Sequence, residues 1–133
     1  MRLSQKRWRG MPVDKQQHAR ILIIEDEPTL ARDLQDLLVE EGFEIAGVAG
    51  RLEKALALIE SVACDAAIVD VNLAGVSASP AASALAARGL PFIVLSGYSR
   101  EQVQGAFLGA LFIQKPCRPA QLIQALNTIV LKR

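Results

Sequence analysis

The stretch Ala67-Ile68-Val69-Asp70-Val71-Asn72 decides the fold. It is a run of small and β-branched apolar residues that ends by presenting one carboxylate. An apolar run of this length bounded by polar residues reads as a buried strand, and a strand buried on both faces belongs to a parallel sheet covered by helices on either side. Asp70 then lies at the carboxyl end of the strand, where open α/β sheets bind ligands.

Working outward, Arg20-Ile21-Leu22-Ile23-Ile24 is a second buried strand, ending in Glu25-Asp26-Glu27. Pro28 suits a first helical turn, and Leu30, Leu34, Leu37 and Leu38 form the apolar stripe of the helix that follows, which stops at Glu41-Gly42. Residues 43–49 read as a strand and 52–61 as a helix. After Asp70, Asn72-Leu73-Ala74-Gly75 reads as a turn and the alanine-rich residues 77–88 as a short helix closed by Gly89. Pro91-Phe92-Ile93-Val94-Leu95 is a fourth buried strand, ending in Ser96-Gly97-Tyr98. A short helix is expected over residues 101–107, limited by Gly105 and Gly109. Leu111-Phe112-Ile113 is a fifth strand leading to Gln114-Lys115-Pro116, and Pro119 opens a last helix carrying Leu122, Ile123, Leu126, Ile129 and Val130. Five strands alternating with helices, joined by right-handed crossovers, give an α/β doubly wound parallel sheet.

The 133 residues, 51% of them hydrophobic, are enough for one domain with one core. No apolar run approaches the roughly 20 residues of a membrane span, and no charged-then-apolar leader opens the chain, so a cytoplasmic protein without membrane insertion is expected. Cys64 and Cys117 are then reduced thiols. Residues 1–18 hold five basic groups and one acid, net +4, while the remainder has ten basic and thirteen acidic groups, net −3. This basic arm contains Trp8, but Gly10 and Pro12 interrupt any helix, and it reads as a disordered tail ahead of a domain over residues 19–133.

Four of the five strands end in a reactive or ion-pairing group: Glu25 with Asp26, Asp70, Ser96 and Lys115. Strand ends in a parallel sheet share one edge, so these groups converge although they are spread along the chain. Clustered carboxylates stay ionised when a cation joins them, and an oxygen-only set with few protein ligands suits Mg²⁺, which shares its shell with phosphate. A lysine and a hydroxyl opposite the metal clamp a phosphoryl group in transfer, and an aspartate can be the nucleophile. The cluster argues for phosphoryl transfer to Asp70.

Ile24-Glu25-Asp26-Glu27-Pro28, Ile68-Val69-Asp70-Val71-Asn72-Leu73 with Gly75, Val94-Leu95-Ser96-Gly97-Tyr98, and Phe112-Ile113-Gln114-Lys115-Pro116 resemble, in order, the four motifs of the receiver domain of bacterial two-component response regulators. The resemblance implies a flavodoxin-like (βα)5 fold with strand order 2-1-3-4-5; the chemotaxis receiver is a standard example of that order. It implies that Asp70 accepts a phosphoryl group from a histidine kinase or histidine phosphotransfer protein. Asp26 and Asp70 would bind Mg²⁺ directly, Glu25 would do so through water, and the main-chain carbonyl of Asn72 would complete the protein ligands. Ser96 would hydrogen-bond the arriving phosphoryl oxygens and Lys115 would pair with another. The Lys115-Pro116 bond would be cis, Phe112 would be the switch aromatic that moves with Ser96, and Asn72 and Tyr98 would set the phosphoryl lifetime.

The loop after the phosphoacceptor usually carries Pro-Gly and then an acid, whereas here it reads Ala74-Gly75-Val76-Ser77-Ala78. The compact region around Pro91-Phe92 and Ser96-Gly97-Tyr98 resembles receivers common in alphaproteobacteria. With Lys132-Arg133 at the end, a stand-alone single-domain regulator is expected, acting in a phosphorelay or on a downstream protein partner, as a monomer or weak dimer without direct nucleic-acid binding. Such a protein is a switch and not a conventional enzyme, although it catalyses its own phosphorylation and dephosphorylation. The alternative is a phosphorylation-independent pseudo-receiver, against which the complete set Asp26, Asp70, Ser96 and Lys115 argues. A Mg²⁺-dependent phosphatase would need an acid two residues after the nucleophile, where this chain has Asn72.

Overall fold

The structure, a computed structural model, describes residues 19–131. The basic arm over residues 1–18 lies outside the described residues. Five parallel strands form the sheet: β1 (Arg20–Ile24), β2 (Glu44–Ala49), β3 (Ala66–Asp70), β4 (Phe92–Ser96) and β5 (Leu111–Gln114). Their spatial order is β2-β1-β3-β4-β5, the doubly wound order that the receiver resemblance implies. Among the described residues, four α-helices cover it: α1 (Pro28–Glu40), α2 (Leu52–Ser61), α3 (Ser79–Ala87) and α4 (Pro119–Leu131). Among the described residues, no helix is long and apolar enough to cross a membrane.

The period of two along each strand divides the core into two layers. Ile21 and Ile23 of β1, Ile68 of β3, and Ile93 and Leu95 of β4 face Leu34 and Leu38 of α1 and Leu122, Leu126 and Val130 of α4. Leu22 and Ile24, Ala67 and Val69, and Val94 face Ala55 and Ile59 of α2 and Ala81, Ala82 and Leu85 of α3. All five residues of β3, and all five of β4, are buried. Central strands sealed on both faces have little freedom to slip, because a one-residue shift would exchange every side chain between the layers.

Helix ends follow local chemistry. Pro28 opens α1, and Gly42, with φ of 97°, closes it as the Phe43 amide donates back to the Leu38 carbonyl at 2.9 Å. Gly89 does the same for α3, where the Leu90 amide reaches the Leu85 carbonyl.

Two segments differ from the sequence expectation. Residues 101–107 do not form an α-helix; they form two single 3-10 turns, Arg100–Gln102 and Gly105–Phe107. The reason is in the backbone: Val103 and Gln104 are extended, and Gly105 and Gly109 take φ of 70° and 91°, values that an α-helix cannot contain. The expected turn after Asp70 is a small antiparallel hairpin, with Asn72 paired to Ser77 and Leu73 to Val76. β3 accordingly ends at Asp70, and α3 begins at Ser79 rather than at residue 77.

Candidate functional site

Register brings the strand ends together. Ile24 pairs with Val69, Asp70 with Leu95, and Ser96 with Gln114, so Glu25, Asp70, Ser96 and Lys115 emerge from adjacent strands along one edge. The Glu25 amide still bonds the Ala49 carbonyl, and the Lys115 amide bonds the Ser96 carbonyl at 2.7 Å. The backbone carrying each of these side chains is thus an extension of the sheet ladder.

At that edge Glu25, Asp26 and Asp70 each place a carboxylate oxygen within 4.8 Å of the others. Glu25 and Asp70 are buried, 3% and 7% exposed, while Asp26 is more open to solvent. The Lys115 ammonium bridges the buried pair, donating to Asp70 Oδ2 at 2.9 Å and to Glu25 Oε1 at 3.2 Å. The second Glu25 oxygen accepts the Glu27 amide at 3.1 Å, and Asp26 Oδ2 accepts the Ala74 amide at 3.0 Å.

The electrostatics follow from this crowding. Burial pushes the Glu25 carboxyl from 4.5 up to about 7; the charge on Asp70 adds to the rise, whereas the Glu27 amide and Lys115 oppose it. Burial works against the Lys115 ammonium, but the hydrogen bond and charge of Asp70, with those of Glu25, outweigh it and raise its pKa. Burial also raises the Cys117 thiol, with Lys115 acting in the opposite sense. Three carboxylates around one ammonium leave the cluster with excess negative charge, and its donors are all oxygen. A hard divalent cation of Mg²⁺ type fits that set.

Ser96 is fully buried at the end of β4, and its hydroxyl oxygen accepts the Tyr98 amide at 2.9 Å. Phe112 on β5 is half-buried and the Tyr98 ring is half-exposed. The Lys115–Pro116 peptide is cis. Asn72 lies in the hairpin, its side-chain oxygen accepting the Gly75 amide at 2.8 Å.

Two contacts went unread in the sequence. One is the Ala74 amide on Asp26; its trace is the Ala74-Gly75 pair standing where receivers usually carry Pro-Gly, since proline has no amide hydrogen to donate. The other is Arg100, whose guanidinium lies 5.7 Å from the centre of the Phe112 ring. No spacing rule points to it, because it depends on the 3-10 turn that replaces a helix.

A doubly wound sheet of this order, with a lysine-bridged acidic pocket at the carboxyl edge, defines a receiver. Residues 21–127 match the family model of the response regulator receiver domain, and the chain belongs to that family. Receiver domains are signalling domains of two-component systems and bind Mg²⁺ at an acidic pocket, and this structure has an acidic cluster of Glu25, Asp26 and Asp70.

Among relatives, the chain is 37% identical over 115 residues to the transcriptional regulatory protein PdtaR of Mycobacterium tuberculosis, covering 84% of this chain and 56% of PdtaR. It is 36% identical over 114 residues to the sensory transduction protein RegX3 of Mycolicibacterium smegmatis, covering 83% and 50%. The chain thus spans about half the length of the curated relatives it matches. Among solved structures, SdrG from Sphingomonas melonis Fr1 aligns with a TM-score of 0.74 at 38% identity, over 85% of this chain and 96% of SdrG. The receiver domain of Erythrobacter litoralis PhyR aligns at 0.76 over 86% and 91%, and at 24% identity that likeness speaks to the fold alone.

Proposed function

We propose that this receiver is a phosphorylation-dependent switch, with Asp70 accepting a phosphoryl group from a histidine kinase or histidine phosphotransfer protein. The observation that carries the reading is the Lys115 bridge to two buried carboxylates beside an exposed third one. A pseudo-receiver kept only for protein contacts gains nothing from burying two carboxylates under one ammonium, an arrangement that costs desolvation.

In the proposed reaction a carboxylate oxygen of Asp70 attacks phosphorus while the phosphorus–nitrogen bond to the donor imidazole breaks, leaving an acyl phosphate on Asp70 and a free imidazole on the donor. Asp26 and Asp70 would hold Mg²⁺ with the Asn72 main-chain carbonyl, and Glu25 would hold it through water. Bound there, Mg²⁺ supplies positive charge against the phosphoryl oxygens. The Lys115 ammonium pairs with one of those oxygens and the Ser96 hydroxyl donates to another. Turning the hydroxyl inward costs it the Tyr98 amide, and the loop beyond Ser96 feels the change. Phe112 follows as the switch aromatic, Asn72 and Tyr98 set the phosphoryl lifetime, and a downstream protein reads the altered surface.

Incubation with acetyl phosphate tests the reading. Labelling should require Mg²⁺ and disappear in Asp70→Ala. An Asp70→Ala protein that labels as well as the wild type would overturn it.

A further inference from the structure

The hairpin after Asp70 contains the only described non-glycine residue with positive φ: Ala74, at 53°. Left-handed backbone is unfavourable for an L-residue, and such strain persists where surrounding contacts hold it. Three contacts hold Ala74. Leu73, 1% exposed, pins one strand of the hairpin into the core layer beneath α3. The Asn72 side chain accepts the Gly75 amide, and the Ala78 amide closes the base of the loop on the Val71 carbonyl at 2.8 Å. The strained turn places one donor outward, the Ala74 amide, and that amide meets Asp26 Oδ2 at 3.0 Å across 48 residues of sequence.

We infer that Ala74 is a positioning residue for the cation site: its main-chain amide holds one oxygen of the Asp26 carboxylate and leaves the other for the metal. This rests on the Mg²⁺ reading above and adds to it a specific donor. Asp26 is the most open of the three carboxylates, and the other two are fixed by Lys115 and the Glu27 amide. Without Ala74 it would be the one acid of the cluster lacking a described hydrogen-bond donor. Hydrogen-bond partners that orient metal ligands are worth roughly 10–100-fold in metal affinity. Proline at this position could supply neither the amide nor a φ near +53°. The hairpin is therefore an alternative to the Pro-Gly loop that lends its backbone to the metal ligand.

The test is Mg²⁺ titration by calorimetry of the full chain. Ala74→Pro should weaken Mg²⁺ binding about 10-fold or more, while Ala74→Gly, which keeps the amide and relieves the strain, should bind within about 2-fold of wild type. Gly75→Ala, strained at φ of 86° but keeping the Ala74 amide, should lose stability more than Mg²⁺ affinity. Because Ala74→Pro can fail to fold, the bond is also read in metal-free protein by hydrogen exchange. The Ala74 amide should exchange about 10-fold faster in Asp26→Ala than in wild type. Unchanged exchange in Asp26→Ala, or a folded Ala74→Pro that binds Mg²⁺ as well as wild type, would overturn the inference. Wild-type protein that binds no Mg²⁺ would defeat the metal reading itself, and the exchange arm would still report on the Ala74–Asp26 bond.

Discussion

Glu25 and Asp70 end strands whose apolar residues are all buried, whereas residues 97–110 cross from β4 to β5 on two 3-10 turns, anchored in the core by Val103 and Phe107 and leaving Tyr98 and Leu108 exposed. The first region is fixed by the sheet register and by Lys115. The second hangs on a few local bonds: Ser96 oxygen to the Tyr98 amide, the Gln102 side-chain oxygen accepting both the amide and the hydroxyl of Ser99, and Arg100 over Phe112. Chemistry needs preorganised groups and signalling needs a segment with a low cost of rearrangement. On the proposed reading, the difference between the two regions would meet both needs in one chain, with Ser96 at their junction.

Substitutions on the rigid side should have the largest effects. Lys115→Ala removes the ammonium shared by two buried carboxylates and should slow labelling by acetyl phosphate roughly 10²–10³-fold. In the metal-free protein it should also cost about 1–3 kcal/mol of stability at pH 8, recovered in part by Mg²⁺; equal stability with and without Lys115 would mean that the bridge does not hold the cluster. Ser96→Ala, at the junction, should slow labelling about 10-fold, the worth of one good hydrogen bond, and should free the Tyr98 amide to exchange.

Acidity offers a third way to probe the cluster. The Glu25 carboxyl sits near 7 in the folded protein against 4.5 ordinarily, so the fold holds that proton more tightly than the unfolded chain does. Its contribution to stability is full below about pH 4.5 and is lost as pH rises through about 7. Without Mg²⁺, wild type should therefore lose stability relative to Glu25→Gln between about pH 5 and pH 8 in denaturant titrations. A constant difference across that range would contradict the burial argument. Across residues 97–110 the effect should be smallest: Arg100→Ala gives up a partly exposed cation–π contact worth about 0.5–1 kcal/mol, so amides of residues 97–110 should exchange about 2–5-fold faster while the β3 amides do not change.

The same contrast explains what could be read from the chain. Runs such as Ile21-Leu22-Ile23-Ile24 and Ala67-Ile68-Val69 encode buried strands in residue type alone, and a parallel sheet then obliges their ends to meet, so Glu25, Asp26, Asp70 and Lys115 were legible as a group. The strand order came from the family resemblance, since periodicity does not rank neighbours. Residues 101–107 misled because helix-compatible residues surround Gly105; extended Val103 and Gln104 break the turn there, a tertiary choice tied to burying Val103 and Phe107. In the sequence the Asn72–Ser77 hairpin reads only as a turn, because Ala74 is not a residue that advertises positive φ. Its amide on Asp26 depends on that backbone angle and leaves no mark in side-chain chemistry.

The most direct test of the central claim, that the converging strand ends form a phosphoryl-accepting site, is to phosphorylate the protein with acetyl phosphate and Mg²⁺, reduce with borohydride and map the product. A single modified position is expected, with Asp70 converted to homoserine, and no conversion at Glu25 or Asp26. Reduction at another carboxylate, or at none after incubation under conditions where Mg²⁺ binds, would contradict it.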